Sequence, residues 1–160
     1  MTPPKLQHEL KKKRPFESLG EEALISVVRT FDQLHIRSSR LFREHGLTPS
    51  QYNILRILRG EGKPLPILEI ASRTIAVVPG ITGLIDRLEQ AGFVNRLRCE
   101  KDRRIIYVAL TDQGMATLAG VDGPLLALHH KLIGHLSQSE LKELIRLLEK
   151  VREPLAGKDD

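Results

Sequence analysis

Cysteine, aromatic residues and long apolar runs are all scarce in this chain of 160 residues. Its single cysteine, Cys99, excludes a disulfide within the chain, so folding needs no oxidising compartment. No apolar run approaches the roughly 18 residues of a membrane span, and the N-terminal residues lack the apolar segment of a secretory signal. We therefore expect a cytoplasmic protein without a membrane partner.

The motifs of common enzyme classes are missing as well. The chain has no G-x-S-x-G nucleophile elbow, no P-loop, no G-x-G-x-x-G and no paired metal-binding motif. His130 and His135 lie five positions apart, which is not the i, i+4 spacing that a helix offers to a metal. We expect no enzymatic activity, no catalytic residues, no metal site and no cofactor.

The charge balance points towards a polyanionic partner. The chain has 25 Lys and Arg against 20 Asp and Glu, a formal net charge of +5, and 41% of its residues are hydrophobic. Its length fits a single folded domain, and a mildly basic balance suits nucleic acid without proving it. Residues 1–17 contain five basic residues and three prolines, which predicts a flexible basic arm that is solvated, contacts phosphates or packs on a partner subunit.

Apolar spacing predicts a mainly α-helical chain with one small β-hairpin. The predicted helices begin after the capping residues Ser18, Thr48 and Ser137, among other places. A kink or a break is expected where Gly123 and Pro124 fall inside a helix. The predicted elements are helices over about 18–45, 48–60, 66–73, 78–91, 111–136 and 138–154, and strands over about 93–98 and 105–110.

Two helices joined by a short turn and followed by a hairpin form a winged helix-turn-helix, in which the second helix enters a DNA major groove. That helix is 78–91, and a solvated face accounts for its polar residues equally well. The hairpin is more informative because residues 93–104 carry a net charge of +3, and arginines at such a tip suit the narrow minor groove. Asp102 can orient Arg104 through charge-assisted hydrogen bonds.

Four segments together resemble the MarR family of bacterial transcriptional regulators. They are LTPSQYNIL at 47–55, LIDRLEQAGFV at 84–94, KDRR at 101–104 and ALTDQG at 109–114. The resemblance covers about residues 20–153. It implies a winged helix-turn-helix domain at 47–110 and a homodimer built by helical regions at 18–46 and 111–155.

The resemblance also implies which residues contact DNA. It places the wing arginine on Arg104, with Asp102 orienting it, and Gly83 departs from the polar or basic residue common in the family. The candidate DNA contacts, from the residues and the resemblance together, are Pro79, Gly80, Thr82, Gly83, Arg87, Arg96, Arg98, Arg103 and Arg104. The protein is then expected to repress by occluding a pseudo-palindromic operator as a homodimer.

Family resemblance further implies release by a small effector, commonly aromatic or phenolic. His35, Arg37 and Arg40 on the first long helix are the candidate effector-binding residues. The alternatives are a winged-helix module that binds protein, and a regulator of the same family that senses a metal through histidines or an oxidant through Cys99.

Overall fold

The chain is mainly α-helical with a small three-stranded sheet in a computed structural model that describes residues 6–156. The helices are α1 (Leu6–Glu9), α2 (Leu19–Glu44), α3 (Pro49–Glu61), α4 (Ile67–Ser72), α5 (Ile81–Gln90), α6 (Asp112–Ile133) and α7 (Gln138–Arg152), with a 3-10 turn at Glu153–Leu155. The strands are β1 (Leu65–Pro66), β2 (Val94–Arg98) and β3 (Ile106–Leu110). The predicted fold class is confirmed. Among the described helices, none is both long and apolar enough to span a membrane.

Hydroxyl side chains cap three helices where the sequence predicts. Thr48 and Ser137 each form a reciprocal capping box with the residue three positions further on. Ser18 accepts the Glu21 amide, but the Glu21 carboxylate accepts the N–H of Glu17 instead of returning to Ser18. Such caps contribute about 1 kcal/mol each because they satisfy amides that the helix leaves unpaired.

The sheet has one strand more than the predicted hairpin. The antiparallel order is β1-β3-β2, with Leu65 opposite Val108 and Val94 opposite Leu110. Pro66 was expected to open a helix, but its backbone is extended and it forms the edge strand before α4 begins. A proline fits there because an edge position does not require its missing N–H to donate.

The chain folds into two compact units that meet between Asp122 and Gly123. In the first unit, α3 contacts β3 and α5 contacts β2. Fully buried apolar side chains from these four elements, and from α4 and α6, form one core that fixes α5 beside the wing strands. This core includes Ile54, Leu55, Ile70, Ile85, Leu88, Val94, Val108, Leu118 and Val121.

Hydrogen bonds and close backbone packing hold the start of α6 against the turn that precedes β2. The Thr111 hydroxyl donates to the Gly92 carbonyl at 2.6 Å and accepts the Gly114 amide at 3.0 Å. A Cβ at Gly114 would lie 2.4 Å from the Phe93 carbonyl oxygen. Glycine is therefore required at position 114 because the backbone of the turn occupies the space of a side chain.

The second unit contains the end of α6 and all of α7. The structure has no break at Gly123 and Pro124, because α6 continues through both residues to Ile133. A proline inside a helix removes one backbone hydrogen bond, and α6 continues past Pro124 without that bond. The described apolar side chains of α7 are largely exposed, including Ile145 and Val151.

Residues 6–17 of the predicted arm are described, whereas residues 1–5 lie outside the described residues. The sequence predicts no helix here, but Leu6–Glu9 form α1. The Lys12 ammonium lies 5.2 Å from the centroid of the Phe16 ring and donates to the Pro15 carbonyl. A carboxylate oxygen of Glu9 lies 3.9 Å from Nε of Arg29 on α2.

Candidate nucleic-acid interface

Helix α5 turns one face into the core and leaves the other in solvent. Ile85 and Leu88 have no exposed surface, and both lie on the apolar stripe. The predicted contact residues Thr82, Gly83 and Arg87 are all exposed on α5. A B-DNA major groove admits one α-helix, so this outward face has the size and the exposure to enter it.

Pro79 and Gly80 precede α5 and do not form its first turn, which corrects the predicted helix start at residue 78. Gly80 has φ of +68°, in the left-handed region that favours glycine. The chain turns there before the helix begins at Ile81, and no side chain caps that helix. Both residues are exposed and flank the outward face of α5.

Arg96 on β2 faces back towards α5. Its guanidinium lies 2.5 Å from the Asp86 carboxylate and 2.7 Å from the Glu89 carboxylate. It also donates to the Thr82 carbonyl at 3.3 Å. The Arg96 side chain is only 21% exposed. These contacts within the protein hold β2 against α5, and the direct contact with DNA predicted for Arg96 stays a prediction.

The link between Arg96 and α5 also involves the backbone. The Arg96 amide donates to Oε1 of Glu89, so one glutamate holds both the main chain and the side chain of the same residue. Burial alone lowers the pKa of Arg96, but hydrogen bonds to Asp86 and Glu89 more than offset it and raise the pKa above its usual range. Arg96 therefore remains charged and couples β2 to α5.

The tip of the wing presents its cations to solvent. The Asp102 carboxylate accepts the Arg104 amide at 3.0 Å and the Arg104 Nε at 3.2 Å. The Arg104 side chain is nevertheless 91% exposed. An exposed pair of this kind contributes little to stability, but it limits the directions in which the guanidinium points.

Further cations extend this charged surface around Arg104. The side chains of Arg98, Lys101 and Arg103 are exposed, and we call these three residues together with Arg104 the wing cluster. The Ile105 amide donates to the Asp102 carbonyl and the Cys99 amide donates to the Ile105 carbonyl, which closes the turn beneath the cluster. The closed turn brings four positive side chains together on one short hairpin.

Comparisons with known proteins assign this arrangement to a family. The sequence profile described as "MarR family" matches residues 47–106, from the start of α3 to the wing. The crystal structure of a MarR transcription factor from Planctomyces limnophilus is similar with a TM-score of 0.66 and 40% identity, over 84% of this chain and 98% of that chain. The chain belongs to the MarR family of transcriptional regulators. The sequence resemblance to that family is thereby confirmed.

Curated relatives agree with this assignment to the MarR family. The chain is 36% identical over 123 residues to the HTH-type transcriptional regulator YkoM of Bacillus subtilis (strain 168), covering 76% of this chain and 79% of that protein. It is 28% identical over 109 residues to the homoprotocatechuate degradative operon repressor of Escherichia coli, covering 68% of this chain and 73% of that protein. Each match extends beyond the 60 residues of the family profile.

The residues suggested for an effector lie along α2 of this MarR protein. His35, Arg37 and Arg40 are exposed. The His35 ring stacks on Phe31 with centroids 5.3 Å apart, and Arg37 donates to both the carbonyl and the side chain of Gln33. The three side chains do not line either of the two cavities that we describe, one beside residues 15–22 and one at the base of the wing.

Within residues 6–156, the side chains needed for a metal sensor do not come together. No group of three His, Cys, Asp or Glu side chains has metal-binding geometry in that range. His45 Nδ1 is engaged by the Leu41 carbonyl at 3.0 Å. Cys99 is partly buried at the wing and is not bonded to another cysteine.

Sequence reasoning missed two apolar features. One is a cavity of about 340 Å³ at the base of the wing, lined by Pro66, Ile67, Leu68, Arg104, Ile105, Ile106 and Tyr107. The other is the turn between α4 and α5, where Ile75 is 85% exposed and Val77 is 94% exposed. The apolar run at residues 75–78 in a turn between two helices was the available signal for the second feature.

Proposed function

We propose that this MarR-family chain is a homodimeric transcriptional regulator that binds a specific double-stranded DNA site, represses, and is released by a small molecule. The observation that carries the proposal is the exposed wing cluster beside the exposed outward face of α5. The fold supplies the shape that fits DNA, and the wing supplies the charge. DNA binding of this kind needs no cofactor, and we propose that the protein acts in the cytoplasm.

The two surfaces suit the two grooves of a duplex. The outward face of α5, with Thr82 and Arg87, fits a major groove where base pairs differ in their pattern of donors and acceptors. Arg104 on the neighbouring wing suits the minor groove, whose negative potential attracts arginine where the groove is narrow. Phosphate contacts by the wing cluster then provide affinity that falls steeply as salt rises.

Exposed apolar side chains support the proposed homodimer. On α2, Leu24 is 64% exposed, Val28 is 66% exposed and Phe31 is 62% exposed. On α7, Ile145 is 56% exposed and Val151 is 50% exposed. Exposed apolar side chains on these two helices favour a contact with another protein surface. A two-fold dimer would place two copies of α5 on half-sites about 10 base pairs apart.

Repression and release are the finer parts of the proposal. The name of the Escherichia coli relative, an operon repressor, favours repression over activation. A small aromatic or phenolic ligand would release the DNA if it bound more tightly to a dimer in which the two α5 helices have the wrong spacing. His35, Arg37 and Arg40 stay the candidates for such binding because two of them could pair with an anion.

Arg104→Ala tests the DNA contact directly. We expect affinity for a selected duplex to fall at least about fivefold, because a well-placed arginine at a groove contributes on the order of 1–3 kcal/mol. Lys63→Ala is the matched control, since it removes one positive charge from an exposed ion pair outside α5, the wing and the dimer helices and should change affinity less than twofold. Fluorescence anisotropy measures both variants, and sedimentation checks that the oligomeric state is unchanged.

Two results would contradict the proposal. Equal affinity of wild type and Arg104→Ala would remove the wing from the DNA interface. Absence of binding to any duplex at low salt, together with retention of a protein partner by Arg104→Ala, would favour a winged-helix module that binds protein. A monomer at all concentrations would refute the homodimer separately.

A further inference from the structure

The turn between α4 and α5 exposes aliphatic side chains that the folded subunit does not use. Ile75 is 85% exposed and Val77 is 94% exposed, and Ala76 between them is exposed too. Apolar side chains left in water contribute nothing to the burial that drives folding. The stability of the subunit therefore gives no reason for this run of residues.

The position of the turn and its lack of charged residues indicate which kind of surface it contacts. Val77 lies five residues before Thr82, and the chain from one to the other passes Pro79 and Gly80, which are also exposed. No residue from Thr74 to Ile81 is charged. The turn therefore leads along the chain into the exposed residues that precede α5, and none of its side chains carries a charge that could attract phosphate.

The major groove offers one apolar group, the 5-methyl of thymine, and aliphatic side chains contact it in sequence-specific complexes. We propose that Ile75 and Val77 contact thymine methyl groups in each half-site. This inference rests on the proposed function, since it assigns a base preference to the interface formed by α5. It adds specificity at positions that the polar residues of α5 do not reach.

Uracil substitution tests the inference because it removes only the methyl group. The operator is first selected from a random pool with wild-type protein, and each thymine is then replaced by deoxyuridine in turn. We expect at least one replacement per half-site to weaken wild-type binding about fourfold, the value for one methyl group removed from water. Replacing a neighbouring cytosine by 5-methylcytosine serves as a control for the presence of a methyl group as such.

Variants of the turn assign the effect to its residues. Ile75→Ser and Val77→Ser should bind the thymine operator several-fold more weakly, and at one position they should no longer distinguish thymine from deoxyuridine. Leu68→Ser is the matched control because Leu68 is a similarly exposed aliphatic residue, 83% exposed, on α4 and outside the proposed DNA and dimer contacts. It should keep the wild-type preference for thymine.

Each other outcome overturns the inference in a recognisable way. If deoxyuridine has no effect on wild type, no methyl group is read. If it weakens wild type and both turn variants equally, the methyl group is read elsewhere, for example by Thr82. If the turn variants dissociate a dimer, the turn packs on a second copy of the chain. Absence of any duplex binding refutes the proposed function itself, and the inference with it.

Discussion

Replacing Arg96 by methionine removes the guanidinium that links β2 to α5 and keeps most of the length of the side chain. Asp86 and Glu89 then lose their shared cation, while the Arg96 backbone amide that Glu89 accepts is kept. The two carboxylates lie three residues apart on one helix, so their repulsion is no longer compensated. We expect both the stability of the subunit and the orientation of the wing to change.

The expected loss of stability follows from the exposure of the two carboxylates that pair with Arg96. Asp86 is 49% exposed and Glu89 is 39% exposed, so each pair is worth the value of a solvated ion pair, about 0.2–1 kcal/mol. With two pairs and the repulsion between the carboxylates, we expect Arg96→Met to lower the free energy of unfolding by about 1–2 kcal/mol. For a chain of this size that lowers Tm by roughly 2–8 °C. Arg96→Lys should recover part of the loss because it restores the charge without the bidentate geometry.

DNA binding separates a positioning residue from a contact residue. Arg96→Met should weaken binding to the selected operator at every salt concentration and leave the slope of log affinity against log salt unchanged. Arg104→Ala should make that slope shallower by about one, as expected when one phosphate-neutralising contact is lost. An Arg96→Met protein with wild-type Tm and a slope shallower by one would refute the reasoning, because Arg96 would then contact DNA directly.

Three further predictions concern stability and are checked by thermal or urea unfolding. Gly114→Ala should destabilise the protein by about 1–3 kcal/mol or prevent folding, because the added Cβ has no space. The control Gly60→Ala should stabilise it by about 0.5–1 kcal/mol, because a Cβ at Gly60 meets no atom within 4 Å. Equal effects of the two substitutions would contradict this prediction. Ser137→Ala should lower stability by about 1 kcal/mol through loss of a helix cap, and no change would show that this cap is not needed. The hydrogen bond from Arg59 lowers the pKa of Asp122, so its contribution is present at neutral pH and lost as the pH falls below about 4; Asp122→Asn should therefore differ from wild type at pH 7 and converge with it in acid, and a constant difference would refute this.

Local chemistry explains which parts of the fold the sequence predicts well. The capping boxes at Thr48 and Ser137 depend on residues three positions apart, so the helix starts at α3 and α7 are visible in the sequence. The apolar stripe of α5 and the charged tip of the wing are equally local. The predicted order of helices and the hairpin therefore agrees with the structure.

Features that depend on distant partners were harder to predict. The edge strand β1 has only two residues and exists because β3 offers it an edge, which no pattern around Pro66 reveals. Arg96 sits in a basic hairpin whose charge indicated DNA, and the sequence analysis did not predict its ion pairs with Asp86 and Glu89. Their i, i+3 spacing, which puts two carboxylates on one helix face, was the signal that could have found this pairing.

Selection from a random duplex pool, followed by a salt titration on the selected sequence, tests the central proposal most directly. For the proposed homodimer we expect an inverted repeat with half-sites about 10 base pairs apart. We also expect affinity that falls steeply between about 50 and 200 mM salt. A steep salt dependence without an enriched sequence would contradict sequence-specific regulation, and absence of binding at low salt would contradict a DNA interface altogether.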